Sequence, residues 1–142
     1  MGASDNTMVN NIALAREISF PWGMPGLEYK TYILVSTAEE SPFFFLQSVE
    51  EPDIGLLLIN PFTVFSDYEF DLAEEVLKQL EISNNCQVAV FCTVNTSRGI
   101  ESATVNLLAP IVINTEKLLA KQVVFNEKKY SLRTPLAIRR RE

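Results

Sequence analysis

At 142 residues, 47% apolar and 21% charged, the chain is long enough to hide about 68–70% of its unfolded surface as one soluble domain and too weakly charged to stay disordered. It contains no histidine and only five glycines, which excludes a histidine-based triad and leaves the Gly-x-Ser-x-Gly, Walker and dinucleotide glycine patterns unmatched. The net charge of −6 is uneven: residues 1–101 carry 15 acidic and 4 basic side chains, residues 102–142 carry 3 and 8, so the acidic part should attract basic proteins and repel phosphate backbones, against direct nucleic-acid binding.

The N-terminal MGASDNTMVNN has neither the basic start nor the apolar stretch of a signal peptide, and no run of 18 apolar residues follows, so the expected location is the cytoplasm, with no membrane contact. Met1 to Thr7 are left out of the fold, and residues 1–8 and 137–142 are expected to be flexible tails. In FPWGMPGLE (20–28) two prolines remove ladder donors and two glycines permit positive φ, which predicts a structured loop. Trp22 in that loop reads as a plug over a barrel mouth in preference to an exposed recognition residue.

Segments 31–37, 43–49, 55–60, 87–94, 103–108, 110–114 and 121–125 are rich in β-branched and aromatic residues at strand lengths. They predict a mainly β fold, a small antiparallel barrel-like domain spanning 1–142 with one short α-helix near residues 72–80. In Pro42-Phe43-Phe44-Phe45, alternation sends Phe44 one way and Phe43 and Phe45 the other. Either both faces of that strand are buried within the protein or a partner seals one of them.

Asp71 is placed to cap the helix, with Glu74 as the reciprocal member of a capping box. Leu72, Val76, Leu77 and Leu80 form its apolar stripe, and Glu74, Glu75, Lys78 and Gln79 point away. The helix is expected across one end or flank of the sheet. Cys92, inside VAVFCTV, reads as a small core hydrophobe, and Cys86 as an exposed thiol without a cation to activate it. Two cysteines without histidine make neither a disulfide framework nor a zinc site. Asn60-Pro61 and Asn106 read as turn-forming positions, and Arg139-Arg140-Arg141 as a solvated terminus.

The densest acidic stretch is FSDYEFDLAEE (65–75). Extended geometry puts Asp67, Glu69 and Asp71 on one face and Tyr68 and Phe70 on the other. Calcium binding fails, because an EF-hand loop counted from Asp67 would need glycine and glutamate where Leu72 and Lys78 stand. Paired acid and base carboxylates must face each other across a pocket, and a row on one strand face does not. A partner-binding surface and a solvated edge remain, and the aromatic residues interleaved with the charge favour the surface. The candidate residues are Asp67, Glu69, Asp71, Glu74 and Glu75, with Tyr68 or Phe44 as apolar anchor. No cofactor, metal or catalytic residue is expected.

FPWGMPGLE (20–28), PFFFLQSVEEP (42–52), INPFTVFSDYEFDL (59–72) and VNLLAPIVIN (105–114), followed by Gln122-Val123, Tyr130 and Arg133, closely resemble the flagellar assembly factor FliW family, from about Ile18 to Leu136. The resemblance implies a non-catalytic cytoplasmic barrel that works by partner switching. Members bind flagellin before export, and bind the RNA-binding repressor CsrA once flagellin has left, relieving repression of flagellin translation. On that footing the acidic stretch would meet CsrA. The alternative is an interaction module without such regulation. The family's opening strand is not recognisable in MVNNIALAREI, which predicts an open sheet edge and a monomer prone to weak dimerisation.

Overall fold

The computed structural model describes residues 14–24, 26–37, 41–84, 87–125 and 129–136; Met1 to Thr7, Pro25, Cys86 and Arg139 to Arg141 lie outside the described residues. Nine strands run in chain order among these: β1 Leu14–Ser19, β2 Thr31–Ser36, β3 Phe43–Ser48, β4 Gly55–Ile59, β5 Val88–Asn95, β6 Thr104–Val105, β7 Ile111–Asn114, β8 Leu119–Gln122 and β9 Thr134–Pro135. Two short helices, α1 Pro61–Val64 and α2 Glu74–Gln79, and a 3-10 turn at Ile100–Ser102 complete the described elements.

Seven strands close into a barrel in the order β4-β3-β2-β1-β8-β7-β5, and β5 returns to β4 through Leu58↔Thr93 and Ile59↔Cys92. Strands β6 and β9 continue from the end of β5 as a small side sheet. The alternation read in the sequence decides what fills the barrel. Ile18, Tyr32, Leu34, Phe44, Leu46, Leu58, Phe91, Ile111 and Ile113 all point inward and are buried. Each of these aliphatic and phenylalanine side chains contributes about 1.5–3 kcal/mol by leaving water. Phe44 meets Phe91 edge-on at 4.8 Å between ring centres, so Phe91→Ala would open a cavity at the centre of the barrel.

Two further apolar clusters lie outside the barrel wall. Ile59 and Cys92 on its surface are covered by Tyr68, Ala103, Val105, Leu107 and Leu136. Val112, Val88 and Leu119 are covered by Val76 of α2, by Leu80 at its C-cap and by Leu72. The helix thus lies on the flank of the sheet; of the expected stripe, Leu72, Val76 and Leu80 pack in this cluster, whereas Leu77 does not join it and Leu72 precedes the helix. Cys92 is buried as expected, and Asn60 and Asn106 serve turns, Asn60 accepting from the Phe62 N–H and Asn106 from those of Leu108 and Ala109. That Asn106 turn ends β6 after Val105, so the strand expected over 103–108 shrinks to two residues.

Several expectations need correction. β1 exists and is paired on both sides, with β2 through an irregular antiparallel ladder and with β8 in parallel at Ser19 and Leu119, so the predicted open edge is closed. That pairing also makes the barrel not wholly antiparallel. α2 begins at Glu74 rather than Asp71, with Ala73 at its N-cap and no side-chain cap bond. Phe70 and Leu72 both turn toward apolar neighbours, a two-residue spacing that keeps the chain extended until the helix starts. Trp22 does not plug the barrel: it is 47% exposed, with the Lys121 ammonium 5.3 Å from its ring centre. Phe20 and Met24 of the same loop take the inward places instead, buried in the barrel core. Positive φ at Gly23 and Gly26 shapes the turn that sends them inward.

Candidate partner-binding surface

Between α1 and α2 the chain has no regular structure, yet its side chains alternate. Asp67, Glu69 and Asp71 are exposed, Tyr68 is buried and Phe70 is half-buried. The cause is the ring cluster behind the stretch. Tyr68 packs on Tyr130 at 4.7 Å, on Phe70 at 5.4 Å and on Phe62 at 5.7 Å, and Phe70 packs on Phe125 at 5.1 Å.

Hydrogen bonds then fix the backbone. The Tyr68 hydroxyl donates to the Leu107 carbonyl at 2.8 Å. Burial, and to a lesser degree the neighbouring Cys92 thiol, push the Tyr68 phenol well above its ordinary range, so it stays a donor. Tyr130 holds Glu69 from the other side, its hydroxyl accepting from the Glu69 N–H at 3.0 Å and donating to the Glu69 carbonyl at 2.9 Å.

The result is a row of carboxylates on a braced backbone. Asp67, Glu69, Asp71, Glu74 and Glu75 are all exposed, and none makes an ion pair with a described residue. Glu74 and Glu75 occupy the first turn of α2, where the unpaired N–H groups favour negative charge. Lys78, on the same helix, and Lys129, over the Tyr130 ring, are nearby described cations, but neither pairs with these five carboxylates, so the row keeps a net negative charge toward solvent. The carboxylates do not face one another across a cavity, and no group of three His, Cys, Asp or Glu among the described residues could hold a metal ion.

The two expected apolar anchors sit elsewhere. Phe44 is 3% exposed, in the barrel core against Phe91, because its neighbours Leu34 and Leu58 share the inward side. Tyr68 is 4% exposed and occupied by its bond to Leu107. Phe62 is the ring that reaches solvent beside the carboxylates, at 46% exposure. It lies on the four-residue α1, whose Asn60 cap and Pro61 opening were legible as a turn, though nothing in the local pattern set Phe62 apart from the buried rings around it. Tyr130 and Phe125 are equally invisible locally, because they act on residues more than fifty positions earlier.

Comparison with known proteins agrees with this fold. The family model described as FliW protein matches residues 4–136, starting well before the motifs that begin at Ile18. A flagellar assembly factor FliW of Caldicellulosiruptor bescii is 42% identical over 116 residues, covering 82% of this chain and 76% of that protein. That of Bacillus subtilis is 38% identical over 127 residues, covering 89% of each. A crystal structure of the flagellar assembly factor FliW superposes with a TM-score of 0.79 at 39% identity, covering 87% of this chain and 86% of that one. With a family model spanning nearly the whole chain and relatives this similar along most of their length, the chain belongs to the FliW family of flagellar assembly factors.

Proposed function

We propose that this protein is a cytoplasmic, non-catalytic partner switch in flagellar assembly, binding flagellin and, once flagellin is exported, the repressor CsrA. The observation that carries the reading is the braced row Asp67, Glu69, Asp71, Glu74 and Glu75, exposed and without described cationic partners. A protein that binds RNA must be basic where it meets phosphates, so such a row steers it into encounter and, once docked, repels the RNA. Phe62 takes the place of Phe44 and Tyr68 as the apolar anchor, since it alone of the three presents an open ring.

Titration calorimetry with CsrA from the same bacterium, at low and high salt and then with flagellin already bound, tests the reading. Binding that weakens with salt, is lost with Asp67→Lys/Glu69→Lys at an unchanged melt, and is abolished by flagellin is the expected result. Binding that ignores flagellin would leave an interaction module without the switch. Affinity unmoved by the charge reversal would remove the acidic row from the interface.

A further inference from the structure

The barrel wall presents outward-facing apolar side chains on three sides, and described residues cover only two of them. Over β5, β7 and β8 the cover is α2, whose Val76 and C-cap residue Leu80 lie on Val88, Val112 and Leu119. Over the end of β4 and β5 it is the cluster around Tyr68. The third side is the outer face of β2, β3 and β4.

Register defines that face. Val35 pairs with Phe45 and Phe45 with Leu57, so three apolar side chains form one row across three strands. Ile33 pairs with Gln47 in the next row and with Glu17 of β1 on its other side. Phe45 is 41% exposed, Val35 is at 36%, and Val49, just past β3, is also exposed. The Phe45 ring lies over Gly55, where an added Cβ would stand 2.5 Å from its Cζ, so it spreads flat across the strands rather than standing away from them.

The rim of this face is acidic. Its outward positions on β1 to β4 carry Glu17 and no lysine or arginine, and the turn between β3 and β4 adds Glu50, Glu51 and Asp53. Against these four carboxylates stand two exposed cations, Arg16 where the β1 ladder shifts register opposite Leu34, and Lys30 beside Glu50 just before β2, so the rim keeps a net negative charge. Three strands at about 4.8 Å spacing span roughly 10 Å, the width of one helix lying on a sheet.

The geometry points to the outer face of β2, β3 and β4 as a docking site for an amphipathic helix of another protein, one with an aliphatic stripe flanked by lysine or arginine. It would sit on Val35, Phe45 and Leu57 as α2 sits on Val88, Val112 and Leu119, with its cations against Glu17 and the acidic β3–β4 turn. The site is separate from the carboxylate row of Asp67 to Glu75 and does not depend on the identity of that row's partner.

The test uses the full chain and a fluorescent peptide of about 18 residues, with leucines at helical spacing and lysine flanks, beside a twin with glutamate flanks. The lysine peptide is expected to bind, shift the amide resonances of β2 to β4, and lose about tenfold or more in affinity with Val35→Lys and with Phe45→Lys. Asp67→Lys should leave its affinity nearly unchanged. The variants' melting curves, read in parallel, confirm that each is folded; Val35→Lys, on a half-exposed side chain, keeps the test sound if Phe45→Lys unfolds. No binding, equal binding of the glutamate peptide, or binding indifferent to Val35→Lys overturns the proposal. Sedimentation showing a dimer of the chain that Val35→Lys dissolves also overturns it, by giving the face to a second copy.

Discussion

Tyr130 and Glu69, 61 positions apart, exchange two hydrogen bonds through one phenol hydroxyl: it accepts from the Glu69 N–H at 3.0 Å and donates to the Glu69 carbonyl at 2.9 Å. The centre of the acidic row is therefore held as a strand neighbour would hold it, by a side chain. Tyr130→Phe should keep the ring packing on Tyr68 and cost about 1 kcal/mol, since the freed groups are near water. Amide exchange at Glu69 should accelerate more than elsewhere. If that amide exchanges at its original rate, the brace is not what holds the row.

The two most buried tyrosines should respond in opposite ways to loss of the hydroxyl. Tyr68→Phe leaves the Leu107 carbonyl without its 2.8 Å donor and should destabilise by about 1–3 kcal/mol. The Tyr32 hydroxyl is buried with no hydrogen-bond partner among the described residues, so Tyr32→Phe should be neutral or stabilising. Urea melts of the two variants decide this, and equal losses would contradict the assignment of partners.

Asn114 is fully buried at the end of β7 and saturated. Its Nδ2 donates to the carbonyls of Leu80 at 2.7 Å and Glu81 at 3.1 Å, and its Oδ1 accepts from the N–H groups of Glu116 and Lys117. One side chain thus joins the C-terminal end of α2 to the β7–β8 turn. Asn114→Leu is close in volume but strands four backbone groups, and should cost about 3 kcal/mol or more. Asn114→Asp keeps the two acceptor bonds and turns a carboxylate toward two carbonyls, so it should be as damaging. A melt within 1 °C of the parent for either variant would refute this account.

The barrel was legible where strand chemistry is strong. β2, β3, β4, β5 and β7 alternate or run apolar over whole strands, and their boundaries moved by only a residue or so. β1 was not, because LAREIS carries adjacent charges and owes its conformation to partners on β2 and β8 that local pattern cannot supply. Parity within Pro42 to Phe45 was readable, but which parity faced the core was not, since that depends on the company of Leu34, Leu58 and Phe91. At the acidic row the exposed set Asp67, Glu69 and Asp71 emerged correctly from extended geometry. The burial of Tyr68 behind it, beyond reach of a partner, did not, because Leu107 and Tyr130 draw it inward through contacts made only by the folded chain.

Glu50 gives the fold a pH dependence whose sign can be worked out. Its two carboxylate oxygens accept from the backbone N–H groups of Lys30 and Thr31, each at 3.2 Å, and those bonds, Lys30's first, hold the carboxyl below the usual carboxylate range. A depressed folded pKa means stability that is present above the unfolded value, about 4.3, and is lost as pH falls through the folded value. Glu50→Gln should therefore melt below the parent at pH 7, and the gap should narrow once the pH falls below the unfolded value and close as the parent's carboxylate takes up its proton at the lower folded value. Because the carboxylate ties the β3–β4 turn to the start of β2, the lost bonds should show as faster amide exchange at Lys30 and Thr31 before global unfolding. A melting difference constant from pH 3 to pH 7 would mean that the charge on Glu50 contributes nothing, and that the turn is held by the Ser48 hydroxyl accepting from the Glu51 N–H at 3.0 Å.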